Sequence, residues 1–278
     1  MNITFWKMHG AGNDFILVDD RAQTFPVCDN AWLARIAARK TGVGCEGIIL
    51  IQPSERADFR MKFFNPDGSE VEMCGNGARC VARLAHEIGI ASERMKIETV
   101  AGVLKAEVDE NMVRLHMTPP TDYRMDQWLP LTLPSPQGGE DKGEGLNHSF
   151  VNTGVPHVVV EIDVLDACDV QGLGARIRYH EIFTPAGTNA NFISVTGPQS
   201  LRIRTYERGV EAETLACGTG IVAGALIAAR LGRTKPPVSV TPASSDVLTV
   251  DFKLTAKGAK NVTLLGPAVH VFKGTLEY

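Results

Sequence analysis

Two of the six cysteines repeat one local pattern. Cys74 stands in Glu72-Met73-Cys74-Gly75-Asn76-Gly77 and Cys217 in Thr214-Leu215-Ala216-Cys217-Gly218-Thr219-Gly220. Each precedes by fifteen residues the glycine that closes the following helical stretch, Gly89 or Gly232. A Cys-Gly-x-Gly turn that feeds a helix puts the thiol where unpaired backbone N–H groups and the positive end of the helix dipole converge, a setting that favours thiolate. A free thiol titrates near about 8.5, and a helix N-terminus lowers it toward neutrality, giving a base that is also a competent acid once protonated. One thiolate and one thiol can invert a stereocentre: the first takes hydrogen from one face of a carbon and the second delivers hydrogen to the other. For an amino acid, negative charge then builds on the carboxylate and must be stabilised. The same helix starts offer N–H groups to that carboxylate, so the chemistry requires neither pyridoxal phosphate nor metal.

The remaining cysteines, Cys28, Cys45, Cys80 and Cys168, read as small buried hydrophobes. Cys74 and Cys80 are too far apart for a Cys-x-x-Cys redox or zinc pair, and no metal site is expected. Six thiols in 278 residues are too sparse for a disulfide scaffold, which suits a reducing compartment. The N-terminus, Met1 to Lys7, lacks the basic-then-apolar run of a signal peptide, and no apolar stretch approaches the roughly 20 residues of a membrane span. A cytoplasmic protein without a membrane partner is expected. With 28 basic and 32 acidic residues interspersed and a net charge of −4, nucleic acid is not an expected partner either.

The elements that must position the thiols follow from apolar patterning. Phe15 to Val18, Ile48 to Ile51, Phe59 to Phe64, Val158 to Ile162, Leu201 to Tyr206 and Val262 to Leu265 read as strands. Ala31 to Lys40, Asn76 to Ile88 and Thr219 to Leu231 read as helices, the last so apolar around its circumference that it should be buried. The class is α/β (α+β). Leu129 to Asn147 (LPLTLPSPQGGEDKGEGLN) is rich in loop formers and reads as a flexible insertion. Gly42-Val43-Gly44-Cys45-Glu46-Gly47 matches the dinucleotide-binding pattern by letter, but a helix precedes it and a strand follows, so it reads as a helix C-cap and turn.

The halves resemble each other. An alternating strand, Phe59 to Phe64 or Leu201 to Tyr206, leads through a polar turn into the cysteine motif and then a helix. Each half also opens with a Gly-containing loop before an apolar strand: Gly10 to Asp14 before Phe15, and Gly154 to His157 before Val158. Two pseudo-symmetric modules on either side of a cleft are expected.

Longer motifs surround these landmarks. Lys7-Met8-His9-Gly10-Ala11-Gly12-Asn13-Asp14-Phe15, Phe64-Asn65-Pro66-Asp67-Gly68-Ser69-Glu70, Cys74-Gly75-Asn76-Gly77-Ala78-Arg79-Cys80, Tyr206-Glu207-Arg208-Gly209 and Ala216-Cys217-Gly218-Thr219-Gly220 closely resemble the diaminopimelate epimerase family, in family order and over nearly the whole chain. The resemblance implies two modules of mostly antiparallel strands, each around a central helix, with the site between them. It implies residues 1–120 as one module, joined by a returning C-terminal strand 263–278, and 121–262 as the other, with the insertion at 129–147. It further implies cofactor-independent interconversion of LL- and meso-diaminopimelate, a step toward lysine and the cell wall. Cys74 and Cys217 would be the acid/base pair and His157 and Glu207 would assist proton exchange. Gly75, Asn76, Gly218 and Thr219 would bind the reacting carboxylate. Asn13, Asn65, Asn189, Glu207 and Arg208 would bind the rest of the substrate, with Arg208 on the distal carboxylate.

The pattern departs at two points. Family members carry Gly-Asn-Pro-His where this chain has Gly154-Val155-Pro156-His157, and Gly47 stands where some members carry glutamine. Val155 supplies no side-chain hydrogen bond, a loss worth about 0.5 to 1.5 kcal/mol. Related folds carry proline racemase, hydroxyproline epimerase and the phenazine-pathway isomerase. The polar set of Asn65, Asn189, Glu207 and Arg208 exceeds what a proline ring could use, and the cysteine pair argues against the phenazine type. A thiol redox protein is the non-isomerase alternative, and it leaves the helix-start glycines and the arginine unexplained. The oligomeric state is left open, a homodimer among the options.

Overall fold

The computed structural model describes residues 1–131 and 145–278. The chain divides into two compact units, Met1–His116 with Thr263–Tyr278, and Met117–Val262.

In the first unit β1 (Asn2–Gly10) lies between β18 (Val269–Glu277) and β2 (Asn13–Asp19), antiparallel to both. β2 runs parallel to β3 (Gly47–Gln52), and the crossover carries α1 (Asn30–Ala37). β3 pairs antiparallel with β4 (Phe59–Phe64). β4 takes the short β5 (Glu70–Val71) antiparallel and β6 (Arg94–Thr99) parallel, with α2 (Gly75–Glu87) in the second crossover. Hairpins to β7 (Gly102–Asp109) and β8 (Met112–His116) follow, and β8 pairs with the Thr263–Pro267 end of β17 (Gly258–Pro267).

The second unit repeats this plan. β9 (Thr121–Pro130), β10 (Gly145–Asn152) and β11 (Pro156–Glu161) are successive antiparallel neighbours. β11 runs parallel to β12 (Asn189–Gly197) across α3 (Val170–Arg178). β12 pairs antiparallel with β13 (Ser200–Glu207), which takes β14 (Ala212–Thr214) antiparallel and β15 (Val238–Thr241) parallel across α4 (Gly218–Arg230). β16 (Leu248–Thr255) closes a hairpin on β15. The expected α+β class and pseudo-symmetric modules are therefore present, and the registers align. Phe15 opposite Gly47 and Ile49 opposite Phe63 correspond to His157 opposite Asn189 and Asn191 opposite Thr205.

Each central parallel pair is covered on both faces, which explains the continuous apolar runs Phe15 to Val18, Ile48 to Ile51 and Val158 to Val160. Ile16, Val18, Ile48 and Leu50 pack with Trp32, Leu33 and Ile36 of α1. Val158, Val160 and Phe192 pack with Val170 and Ile177 of α3. The other face of each pair meets the cysteine-bearing helix. Gly77 of α2 sits so close to Ile49 and Met61 that an added Cβ would lie 2.7 and 3.2 Å from their side chains, and Gly224 of α4 approaches Ile193 and Ile203 at 3.1 Å. α4 is buried from Gly220 through Ala229, as its all-round apolar sequence predicts.

Both helices end alike. Gly89 and Gly232 take positive φ (73° and 74°). The next residue donates back five positions, Ile90 to Ala85 at 2.8 Å and Arg233 to Ala228 at 2.9 Å. These are Schellman stops, and they account for the equal spacing from cysteine to glycine. The Gly42 to Gly47 segment is the expected turn: Gly44 donates to Ile36 and Cys45 to Ala37 before β3 begins.

Three expectations need correction. The insertion placed at 129–147 is shorter than expected: Leu129 and Pro130 end β9 and pair with Leu146 and Gly145 of β10. Residues 132–144 lie outside the described residues. Cys28 is exposed rather than buried, on the loop before α1, and Cys168 is half-buried. α3 was not expected at all. No helix among the described residues is long and apolar enough to cross a membrane.

Candidate active site

Cys74 and Cys217 are the N-cap residues of α2 and α4. Both have extended backbones, at φ −137° and −106°, and their carbonyls accept the first helical hydrogen bonds, from Ala78 at 2.8 Å and Ile221 at 2.9 Å. N-cap positions favour Ser, Thr, Asp or Asn, whose oxygens bond the N–H groups of the first turn. Neither cysteine side chain makes such a bond. The two glycines of the Cys74 motif differ in task. A Cβ on Gly75 would meet nothing within 4 Å, so the approach to the first turn of α2 is open there. Gly77 and Gly220 are instead pressed against the sheet, and a Cβ on Gly220 would lie 2.4 Å from Asn191 Oδ1.

In the first unit Cys74 Sγ is 3.7 Å from Asn13 Oδ1. Glu46 fixes that orientation by accepting from Asn13 Nδ2, so the amide presents its oxygen to the sulfur-bound hydrogen. Burial and the nearby Asp14 carboxylate push the Glu46 carboxyl up. Asp14 pairs with Lys7 at 2.6 Å and Arg39 at 2.8 Å. Burial opposes its charge, but the two cations prevail and hold its carboxyl below the usual range. Asn76 is buried, and its Oδ1 accepts from the wholly buried Arg79 at 2.9 Å. Asn65 occupies the turn after β4, donating from its backbone to Ser69 O and from Nδ2 to Ser69 Oγ.

In the second unit Cys217 is 7% exposed and its sulfur lies 3.6 Å from Thr219 Oγ1. Thr153 donates to the Thr219 carbonyl, tying the β10–β11 turn to the first turn of α4. Asn189 bridges Pro156 O and the Arg208 N–H, both at 2.9 Å, which spends about half of its hydrogen-bonding capacity on the backbone. Arg208 Nη1 donates to Ala186 O, and Glu207 Oε2 accepts from Thr214, three residues before Cys217. His157 is fully buried. Desolvation, helped by the Arg208 charge, pulls its imidazole down to about 3. It is therefore neutral throughout the physiological range.

Within the second unit the fold thus brings His157, Asn189, Glu207, Arg208, Cys217, Gly218 and Thr219 onto neighbouring strands and one helix start. Within the first it brings Asn13, Gly75 and Asn76 to Cys74, with Asn65 in a separate turn. Glu46, Arg79 and Asn191 are the polar groups that sequence patterns did not single out. Asn191 alone left a signal, as a polar residue between the apolar Ala190 and Phe192.

A model of the family described as diaminopimelate epimerase matches residues 5–122 and 149–271. The diaminopimelate epimerase of Aquifex aeolicus (strain VF5) is 43% identical over 284 residues, covering 98% of this chain and 97% of the relative. This chain belongs to the diaminopimelate epimerase family. That of Archaeoglobus fulgidus is 45% identical over 86% of each chain. Among solved structures, a hydroxyproline epimerase from Agrobacterium vitis superposes with a TM-score of 0.67 at 17% identity, covering 99% of this chain and 92% of that one. A PhzF-family phenazine biosynthesis protein from Bacillus anthracis gives 0.66 at 19% identity over 100% of both chains. Those two likenesses establish a shared fold. Against the family pattern, Gly47 has a local cause: a Cβ there would lie 2.1 Å from the Phe63 ring, which fills the space a longer side chain would need.

Proposed function

We propose that this chain interconverts LL- and meso-2,6-diaminopimelate, with Cys74 and Cys217 as a thiolate and thiol pair. The supporting observation is the placing of both cysteines at the N-cap of the corresponding helix of each unit, without side-chain capping, in a chain of this family. In one direction a thiolate removes the α-hydrogen as a proton and becomes a thiol. The electron pair left on the α-carbon delocalises into the carboxylate, and the other thiol gives its proton to the opposite face and becomes the thiolate. The backbone N–H groups of Gly75 and Asn76 and of Gly218 and Thr219 stabilise that carboxylate, since helix starts favour anions. Asn13, Asn65, Asn189, Glu207 and Arg208 recognise the remainder, Arg208 through the distal carboxylate. His157 and Glu207 assist the thiols. The mechanism draws on these groups alone, without cofactor or metal. A reducing cytoplasm would keep both sulfurs in working form, and the product would serve lysine and cell-wall precursor synthesis.

The test is deuterium incorporation from solvent at the α-carbon of LL-diaminopimelate under reductant, for the intact protein and for Cys74→Ala and Cys217→Ala. Exchange with formation of the meso isomer, falling by at least about 10²-fold in either variant, is expected. An inert, folded wild type would exclude diaminopimelate and direct the assay to proline and hydroxyproline.

A further inference from the structure

The two cysteine-bearing helices rest on different floors. Beneath α2, Phe15, Ile49 and Phe63 supply the sheet surface, the two rings edge to face at 5.9 Å. The same three register positions beneath α4 hold His157, Asn191 and Thr205, all buried. An apolar trio thus suffices to seat one helix of this architecture, whereas the polar trio needs every group answered to avoid a desolvation penalty.

Those groups are answered in one way only. Val158 O, which can only accept, takes a hydrogen bond from Asn191 Nδ2 at 2.8 Å and so fixes which end of the amide is nitrogen. Thr205 Oγ1 donates to the other end, Asn191 Oδ1, at 3.0 Å. The second hydrogen on Nδ2 then points at His157 Nδ1, 3.1 Å away, which must accept. A proton on Nδ1 would oppose that N–H, so the single imidazole proton belongs on Nε2, the one atom of the trio with no partner among the described residues. Gly220 keeps the arrangement flush with the start of α4, since any side chain there would displace the Asn191 amide.

We propose that Asn191 is a positioning residue for the epimerisation, holding His157 as the neutral Nε2–H tautomer so that the imidazole acts as a hydrogen-bond donor to an anionic acceptor in the working site and not as a proton acceptor. The functional half of this statement rests on the two-thiol reading above; the tautomer does not. An imidazole held in the wrong tautomer can cost a hydrolase orders of magnitude in turnover with its geometry intact, and the contribution expected here is smaller because the thiols remain.

The experiment is nitrogen-15 NMR of histidine-labelled protein at pH 7, with the His157 signals assigned by their loss in His157→Gln, together with steady-state kinetics on diaminopimelate. Wild type should show Nε2 protonated and Nδ1 bare. Asn191→Asp, which accepts where asparagine donates, should protonate Nδ1 and lower kcat about ten- to a hundredfold with KM within about twofold. Asn191→Leu, which copies the apolar floor of the other unit, removes the donor and should lower kcat similarly if the charged variant does not fold. A wild-type spectrum showing imidazolium or the Nδ1–H tautomer would overturn the proposal, as would folded variants with unchanged kcat. Loss of all activity in Cys217→Ala beside unchanged kcat in the Asn191 variants would sink the positioning role and leave the two-thiol reading intact. Wild type inert to diaminopimelate would sink that reading and with it the role in epimerisation, the spectrum still deciding the tautomer.

Discussion

Cys45 and Cys80 lie in apolar surroundings whose burial pushes their thiols up to about 11 and about 12, far from the reactive range. Cys28 is exposed on its loop. A brief iodoacetamide pulse on native protein at pH 8, mapped by mass spectrometry, should therefore modify Cys28 and spare Cys45 and Cys80 until the chain is unfolded. Native-state labelling of Cys80 would contradict its burial inside α2. Legibility differed sharply between these residues. Cys74 and Cys217 stood out because their surroundings are contiguous in sequence and repeated. The exposure of Cys28 did not, because a single cysteine in a short loop carries no periodic context. That His157, Asn191 and Thr205 meet was illegible for a stronger reason, since the set is assembled from three strands whose registers no local pattern encodes.

The helix starts set a second, separable demand on packing. Replacing Gly220 with alanine would drive a Cβ to 2.4 Å from Asn191 Oδ1, an atom of an amide held by hydrogen bonds on both ends. The expected loss is about 1–3 kcal/mol of stability. At Gly77 the nearest atoms are Ile49 Cδ1 and Met61 Cε, the far ends of flexible side chains. The gain of about 1 kcal/mol in helix propensity offsets much of the strain there. Urea unfolding of Gly220→Ala and Gly77→Ala should separate the two by midpoint, and equal midpoints would contradict the unequal floors. Elements with strong patterns were read closely: Asn76 to Ile88 and Thr219 to Leu231 became Gly75–Glu87 and Gly218–Arg230. α3 escaped because its nine residues include Gly172 and Gly174 and three polar side chains, so tertiary packing and the Asp169 cap, not propensity, make it a helix. The ends of β9 and β10 escaped because Pro130 and Gly145 are loop formers that here close a ladder at its edge.

For the chain as a thermodynamic whole, burial of neutral imidazoles links folding to acid. His157 titrates near 3 when folded and near about 6.5 when unfolded. Its contribution to stability is fully present above the unfolded value and is lost as pH falls below it, because the unfolded chain gains a proton that the native chain refuses. The slope is about 1.4 kcal/mol per pH unit, or about 2 kcal/mol by pH 5. Burial depresses His148 as well, adding in the same direction. Urea midpoints measured at pH 7.5, 6 and 5 should decline, and His157→Gln should decline less steeply; parallel curves would rule out the buried neutral state. The unlike floors beneath α2 and α4 carry one more consequence. For the proposed reaction, detailed balance ties the ratio of forward to reverse kcat/KM to the equilibrium constant between the two isomers, whatever the catalyst. A molecule with chemically unlike halves therefore cannot enrich either isomer. It can only divide the climb unevenly between the two proton transfers, so that primary hydrogen isotope effects measured from the LL side and from the meso side should differ in size.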